Sequence, residues 1–234
     1  MSKIVKPSIF VIIPAFNEQN AVCNVLEEIP KDLVKEVIVV NNGSTDNTVA
    51  QALSCGATVL DEHNKGYGYA CLKGIDYLKN KPIAESDIVV FIDADFSDYP
   101  SEKPKLVEPI QTNRVDMVIG SRALGQKENG SMTPQQVFGN WLATSLLKLF
   151  YKVEFTDLGP FRSIRFDKLL QIDMKDQTYG WTVEMQLKAA KQGLKCMEVP
   201  VNYRRRIGKS KVSGTVKGTI MAGYKILWTI FKYL

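Results

Sequence analysis

Short runs of apolar, mostly β-branched residues recur along the first hundred residues, and each run ends in a polar or glycine-rich turn. Such runs predict buried strands, here at residues 8–14, 36–40, 57–60 and 87–92. Segments of helical appearance separate them, at residues 18–29, 45–54 and 68–79. This alternation predicts an α/β fold with a mostly parallel central sheet and helices on both of its faces.

The pattern becomes less regular in the second half of the chain. A helix at 102–112 leads into a fifth strand at 115–120, and the later predictions are a polar loop at 125–134, a helix through 141–150, a short strand near 153–155, a helix at 181–192 and a strand at 195–201. No repeat or linker separates these pieces. We therefore predict one domain over residues 1–216, followed by a C-terminal helix over residues 217–234.

That last helix is predicted to be amphipathic, because its large apolar residues fall on one side of a 3.6-residue repeat while Lys225 and Lys232 lie off that stripe. It is shorter than the ~20 apolar residues that a membrane span requires, and lysines interrupt it. Two interpretations remain open at this point: packing on its own domain, or lying in a membrane interface. The stripe, called the apolar stripe below, consists of Ile220, Tyr224, Leu227, Trp228, Phe231 and Leu234.

Charge is distributed unevenly along the chain. The net charge is +5, yet no Asp or Glu follows Glu198 while eight Lys and Arg residues do, so the preceding part carries −3. Such a basic segment could meet phosphates or an anionic membrane surface, or it could be a solvated face. Six of the bases fall close together: Arg204, Arg205, Arg206, Lys209, Lys211 and Lys217.

The cysteines and the N-terminus predict a cytoplasmic location. Cys23, Cys55, Cys71 and Cys196 are far apart and form no CxxC or Cys/His spacing, so we expect reduced core cysteines. The first residues run directly into a strand pattern and lack the apolar core and cleavage site of a secretory signal.

The first candidate site residues follow the fourth predicted strand, where Asp93 and Asp95 lie at its carboxyl end. Residues two apart in a strand point the same way, so these carboxylates would repel each other unless a cation lies between them. Hard oxygen ligands select Mg²⁺ or Mn²⁺, which usually keep substrate phosphates as further ligands. Open α/β sheets bind ligands at this edge.

Two other strands end in polar clusters, at residues 14–18 and 41–46. Three strand ends then converge on one crevice. The Asn42-Gly43 step supports a tight turn, and the helix that follows would offer free N–H groups to an anion or a sugar edge. Alternatively, the same residues provide only a turn and a helix cap, with no ligand.

In this order, the PxxNE segment at 14–18, the GSxD turn at 43–46 and the DxD motif at 93–95 resemble the family 2 glycosyltransferases, and the resemblance covers essentially the whole chain. It implies a GT-A type nucleotide-diphospho-sugar transferase fold, an inverting single displacement, and a donor of the UDP-glucose or GDP-mannose class. Residues 1–122 would form the nucleotide-sugar-binding half and 123–216 the acceptor half. The implied metal ligands are Asp93 and Asp95, and the implied donor residues are Pro14, Phe16, Glu18, Asn41, Asn42, Lys65, Asp93, Ala94 and Asp95.

The second half carries four landmarks: residues 119–122 (IGSR), residues 157–162 (DLGPFR), Glu184 in a helix after the aromatic segment 179–181, and Arg205 with the GKSK stretch at 208–211. With these landmarks the second half is most similar to the polyprenyl-phosphate glycosyltransferases of the dolichol-phosphate mannose synthase type. The resemblance implies a polyprenyl-phosphate acceptor at the inner face of a membrane, with no nucleic-acid partner. The implied catalytic residues are Asp93, Asp95, Arg122, Asp157 and Glu184. The acceptor phosphate would be held by Arg122, Arg162, Arg205, Ser210 and Lys211.

This chain departs from that group in two places. Residues 133–137 lack the Arg and Ser with which the group holds the lipid phosphate, and Ser97 stands where a longer metal ligand is found. The alternative is therefore a hydroxyl of a soluble or glycan acceptor. That nucleophile needs a general base, for which Asp157 and Glu184 are the candidates.

Overall fold

The computed structural model describes residues 6–208, 210 and 215–234, without the side chains of residues 216 and 217. Within these residues one seven-stranded sheet has the order β3-β2-β1-β4-β6-β5-β7, and only β6 runs antiparallel to its neighbours. The predicted α/β fold with a mostly parallel sheet is thus confirmed. The strands are β1 Ile9–Ala15, β2 Glu36–Asn41, β3 Thr58–Asp61, β4 Ile88–Phe91, β5 Met117–Ser121, β6 Arg162–Arg165 and β7 Cys196–Pro200.

Helices cover both faces of the sheet. Along β1, Ile9, Val11 and Ile13 join the apolar cluster on one face, while Phe10 and Ile12 join the cluster on the other. A strand buried on both faces reads as a continuous apolar run, which is why its position was predictable. The helices are α1 Val22–Glu28, α2 Thr48–Ser54, α3 Tyr67–Lys79, α4 Lys103–Gln111, α5 Pro134–Tyr151, α6 Phe166–Ile172, α7 Trp181–Lys191 and α8 Val216–Lys232.

In the second half one predicted strand was wrong, two elements were not predicted, and one helix begins earlier than predicted. No strand forms at 153–155, whereas β6 and α6 were not predicted. The β6 sequence is polar, but its hydrogen bonds are made inside the protein, as with the Ser163 hydroxyl, which donates to the Leu106 carbonyl at 2.7 Å. Helix α5 begins seven residues earlier than predicted, because Thr133 and Gln136 form a capping box.

The expectation of reduced cysteines was wrong for one pair. Cys23 and Cys55 are joined by a disulfide, with Sγ atoms 1.99 Å apart. The two residues are 32 positions apart in sequence, and the packing of α1 against α2 brings them together. Cys71 and Cys196 are unpaired.

Helix α8 uses two different faces. Ile226 and Ile230 pack in a cluster with α5 and α7, the Tyr151 hydroxyl donates to the Ile230 carbonyl at 2.7 Å, and the Tyr233 hydroxyl lies 2.5 Å from Glu184. Most of the apolar stripe instead points to solvent, with Trp228 52% exposed. No helix in the described part of the chain is both long and apolar enough to cross a membrane.

Candidate active site

A cavity of about 360 Å³ lies at the carboxyl ends of β1, β2 and β4. The structure brings together all the predicted donor-binding residues except Asn41, whose side chain donates to Asp61 at 2.7 Å and lies outside the lining. Thr178 and Tyr179, from the loop before α7, also line the cavity and were not predicted as site residues. The predicted residues that line it are Pro14, Phe16, Glu18, Asn42, Lys65, Asp93, Ala94 and Asp95.

The paired carboxylates of the DxD motif lie in this cavity, directly after β4. The Asp95 carboxylate accepts hydrogen bonds from the Ser97 amide at 3.0 Å and the Ser97 hydroxyl at 2.5 Å. Burial, together with the negative charge of Asp95, raises the pKa of Asp93 to about 7. Ser97 thus orients Asp95, although sequence reasoning had considered it only as a shortened metal ligand.

The two carboxylates fit a divalent cation in one further respect. Asp93 Oδ1 is buried and has no hydrogen-bond partner, which is costly unless a ligand completes it. Within the described ranges, no group of three or more His, Cys, Asp or Glu side chains is placed to hold a metal ion. An ion here would therefore take part of its coordination from substrate phosphates and water, as Mg²⁺ commonly does.

Asp98 is a further buried carboxyl that sequence reasoning missed. It is 2% exposed, and neither of its side-chain oxygens has a hydrogen-bond partner. Burial, reinforced by the negative charge of Asp93, raises its pKa well above the ordinary value. Its position five residues after Asp93 was the available signal, but nothing in the sequence indicated that it would be buried.

The loops after β1 and β2 lock together at the edge of the site. Asn17 Oδ1 accepts from the Thr45 amide at 2.8 Å, and the Ser44 hydroxyl accepts from the Asn17 amide at 3.0 Å. Asp46 in turn accepts from the Thr48 amide at 3.0 Å. The amides of Thr45 and Thr48 are thus bonded to side chains of the protein, so these two N–H groups are not free to bind an anion.

Asn42 organises the neighbouring loop. Its amide nitrogen donates to the carbonyls of Glu62 and Asn64, and its oxygen accepts from the Gly66 amide at 2.7 Å. Lys65, carried by this loop, lies with its ammonium 5.8 Å from the centre of the Phe16 ring. Asn42 therefore positions the wall of the cavity that presents Lys65.

Arg122 and Asp157 form a buried bidentate ion pair. Arg122 Nε and Nη2 lie 2.8 and 2.7 Å from the two carboxylate oxygens, and the Arg122 amide donates to the same carboxylate at 2.7 Å. The guanidinium also lies over the Tyr203 ring, 5.1 Å from its centre. With three bonds on its carboxylate, Asp157 is arranged to hold Arg122.

Several predicted site residues do not line the cavity, among them Arg122 and Asp157 as well as Arg162 and Glu184. Arg162 is fully buried, and its guanidinium donates to the backbone carbonyls of Leu158, Gly159 and Thr182, so it does not reach the crevice surface. Glu184 bonds Lys188 at 2.8 Å and Tyr233 at 2.5 Å. Burial opposes its charged form, but these hydrogen bonds outweigh burial and lower its pKa.

The basic segment passes along the DxD loop, and its arginines point in different directions. Arg205 turns outward, where its Nε donates to the Asn129 carbonyl at 2.6 Å. Arg206, which was not among the predicted site residues, enters the cavity and pairs with Asp95 at 3.0 Å. Ser210 lines the same cavity, and Lys211 lies outside the described residues.

Comparison with known proteins identifies the family. The sequence profile described as Glycosyl transferase family 2 matches residues 10–172. The chain belongs to this family. As a family 2 glycosyltransferase it is an enzyme that uses a nucleotide-sugar donor, and the cavity with the DxD carboxylates is its candidate active site.

Individual relatives are similar over nearly their full lengths. An uncharacterized glycosyltransferase of Mycobacterium tuberculosis is 33% identical over 92% of this chain and 94% of its own. An undecaprenyl-phosphate mannosyltransferase of Micrococcus luteus is 30% identical over 90% of this chain and 89% of its own. Among solved structures, glucosyl-3-phosphoglycerate synthase from M. tuberculosis, in complex with Mn²⁺, UDP-glucose and phosphoglyceric acid, has a TM-score of 0.76 at 22% identity, covering 97% and 79% of the two chains. That likeness establishes the GT-A fold.

Proposed function

We propose that this family 2 enzyme is an inverting, metal-dependent hexosyltransferase that moves a hexose from a donor of the UDP-glucose or GDP-mannose class to a polyprenyl phosphate. The observation that carries the donor half is the pair Asp93 and Asp95, which faces the same cavity as Phe16 and Glu18. A solved protein of the same fold binds Mn²⁺ together with UDP-glucose.

In this proposal Asp93 and Asp95 hold Mg²⁺ or Mn²⁺ and, through it, the donor diphosphate. Such an ion, when bound, supplies positive charge that neutralises the leaving nucleoside diphosphate. Lys65 approaches from the wall of the cavity and adds a second positive charge for the phosphates. Phe16 and Glu18 lie where the nucleoside would bind, so the chain's own residues orient the donor for attack on its anomeric carbon.

The bonding of Asp157 and Glu184, the two candidate general bases, supports a phosphate as the nucleophile. A hydroxyl acceptor needs a general base, whereas a lipid phosphate is already anionic at neutral pH. Both candidate bases have other partners: Asp157 holds Arg122, and Glu184 bonds Lys188 and Tyr233. The undecaprenyl-phosphate mannosyltransferase of M. luteus is a relative that acts on a lipid phosphate. Arg122, whose positive charge is near enough to Asp93 to oppose the rise in its pKa, is then the candidate to hold the acceptor phosphate.

The outward faces of α5 and α8 support a peripheral location at a membrane surface. Trp141 on α5 is 60% exposed and Trp228 on α8 is 52% exposed, and a contact between Phe150 and Phe231 joins the two helices. Neither helix contains an Asp or Glu residue. Aromatic residues with lysines and no acids are typical of helices that lie in an anionic interface.

An acceptor assay tests this proposal. UDP-glucose or GDP-mannose labelled in the sugar is incubated with Mn²⁺ and either undecaprenyl phosphate in detergent or phosphoglyceric acid. The lipid product is counted in the organic phase, and the water-soluble product is counted after chromatographic separation from unreacted donor. We expect product in the organic phase with wild type and none with Asp95→Asn. Transfer only to the water-soluble acceptor would contradict the lipid acceptor and support the hydroxyl alternative.

A further inference from the structure

Arg206 occupies the donor cavity between two residues that the donor site needs. One guanidinium nitrogen lies 2.6 Å from Glu18 Oε1, and the other lies 3.0 Å from Asp95 Oδ2. Arg206 lines the cavity together with Asp93. A positive charge of the protein therefore stands against one of the two carboxylates that would hold a divalent cation.

The segment that carries Arg206, residues 203–207, is held on the DxD loop by its backbone and by Arg204. The amides of Arg204 and Ile207 donate to the carbonyls of Ser97 and Asp95 at 2.9 and 3.0 Å. The Arg204 guanidinium forms a bidentate pair with Glu28, at 3.0 and 2.9 Å, and lies 3.3 Å from the centre of the Phe96 ring.

Because the backbone and Arg204 hold the segment, the Arg206 side chain is able to exchange partners. Arg204 fixes the segment without using any atom in the cavity, so release of Arg206 from Glu18 and Asp95 does not require the backbone to leave the loop. The Nε atom of Arg206 is buried and has no hydrogen-bond partner, so the two carboxylates do not satisfy the whole guanidinium. A diphosphate offers more acceptor oxygens and suits the planar fork of an arginine.

We propose, on the basis of the function proposed above, that Arg206 is a resident cation of the donor site. In the donor-free enzyme it neutralises Glu18 and Asp95 and competes with the divalent ion for Asp95. When metal and nucleotide bind together, Arg206 exchanges its carboxylate partners for the donor diphosphate. The divalent ion alone then binds weakly, and metal and nucleotide strengthen each other's binding.

The first test measures Mn²⁺ binding to the nucleotide-free full chain, by the electron paramagnetic resonance signal of free Mn²⁺. Arg206→Gln should bind Mn²⁺ roughly tenfold more tightly than wild type, because a positive charge within 3.0 Å of Asp95 is removed. Arg114→Gln, which removes an exposed positive charge at the end of α4, is the charge-matched control and should differ from wild type by less than about twofold. Equal Mn²⁺ affinity in Arg206→Gln and wild type would overturn the proposal.

The second test measures UDP and GDP binding at saturating Mn²⁺ with the same proteins. Arg206→Gln should bind the nucleotides roughly tenfold more weakly, while Arg206→Lys, which keeps a charge but not the fork, should fall between the two. Tighter nucleotide binding by Arg206→Gln would show that Arg206 only blocks the site and would overturn the exchange.

The two proposals fail in distinguishable ways. If no nucleotide binds to wild type, with or without Mn²⁺, the proposed function itself fails. If wild type shows metal-dependent nucleotide binding but Arg206→Gln behaves like wild type in both tests, only the role of Arg206 fails. Thermal unfolding of each variant identifies one that has lost its fold. If Arg206→Gln is such a variant, Arg206→Met, which also removes the charge, replaces it in both tests, and wild-type affinity for Mn²⁺ and for nucleotide in Arg206→Met overturns the proposal.

Discussion

Asp93 combines a buried position with a nearby like charge. Its folded pKa of about 7 lies above its ordinary value of 3.8, so the folded state favours the protonated form. The contribution of protonated Asp93 to the free energy of unfolding is fully present below about pH 4 and is lost as the pH rises through about 7. The donor-free protein therefore carries an electrostatic cost at this position at neutral and higher pH.

Replacement of Asp93 by Asn should expose this cost. We expect the stability of Asp93→Asn relative to wild type to increase by about 2–4 kcal/mol between pH 4 and pH 8, because each pKa unit corresponds to about 1.4 kcal/mol. Urea unfolding of both proteins at the two pH values, without divalent metal, measures this change. A stability difference between the two proteins that is the same at pH 4 and pH 8 would contradict the raised pKa of Asp93.

Asp157 is placed to hold Arg122, and its substitution separates that role from proton transfer. Asp157→Asn should lower the free energy of unfolding by about 3 kcal/mol or more, because it leaves the charge of a nearly buried guanidinium unpaired. Glu154→Gln, which breaks an exposed ion pair with Lys148, is the control and should leave the urea midpoint unchanged. A fully stable Asp157→Asn protein would contradict the structural role.

The sequence predicted most of the residues that line the cavity, but it predicted few of the contacts that the other site residues make. Asp93, Asp95 and Glu18 were predictable because they follow buried strands whose carboxyl ends meet at one edge. Arg162 and Arg206 were not, because the choice between a buried guanidinium and one in the cavity depends on carbonyls and carboxylates that are distant in sequence. The arginine-rich stretch could be recognised in the sequence, but the sequence did not show which of its arginines enters the cavity.

At the scale of elements, the segments that could be predicted were those with a clear apolar pattern. The apolar runs of β1 and β4 predicted strands correctly, because a strand that is buried on both faces of a sheet has a continuous apolar sequence. Strand β6 was missed because its polar side chains bond inside the protein, and the segment at 153–155 looked like a strand but has no strand partner. The start of α5 was missed although Thr133 and Gln136 are spaced as a capping box.

The disulfide between Cys23 and Cys55 ties α1 to α2, and neither cysteine lines the cavity of the DxD motif. In the chain-entropy view, closing a loop of this length stabilises the protein by about 3–4 kcal/mol. Cys23→Ser should lose that amount in urea unfolding, and reduced wild type should approach the variant. Reductant should not affect Cys23→Ser, and a wild type equally insensitive to reductant would contradict a stabilising disulfide.

The outward face of α8 should decide membrane binding. Trp228→Ser combined with Phe231→Ser should reduce flotation with vesicles containing anionic lipid at least about fivefold, because it removes two exposed aromatic anchors. These residues are preferable to a truncation, which would also remove the buried Ile230. Leu53→Ser, an exposed apolar residue on α2, is the control. Flotation of the double variant equal to that of Leu53→Ser would refute membrane docking through α8.

At the scale of the whole molecule, the cavity is formed by strand ends that come from separate parts of the sequence. The DxD pair after β4, the residues after β1 and the loop that Asn42 organises meet in one cavity. The fold class could be predicted because the alternation of strands and helices permits few arrangements. The antiparallel insertion of β6 between β4 and β5 could not, because sequential order does not fix the neighbours of a strand.

Calorimetric binding of UDP, GDP and their glucose and mannose conjugates to wild type and Asp95→Asn, with and without Mn²⁺, tests the proposed donor site directly. We predict that one nucleotide class binds wild type in a strictly Mn²⁺-dependent way and that Asp95→Asn weakens this binding at least about tenfold, because it removes a charged ligand. Absence of nucleotide binding to wild type, or equal binding to both proteins with and without Mn²⁺, would contradict a metal-dependent donor site at Asp93 and Asp95.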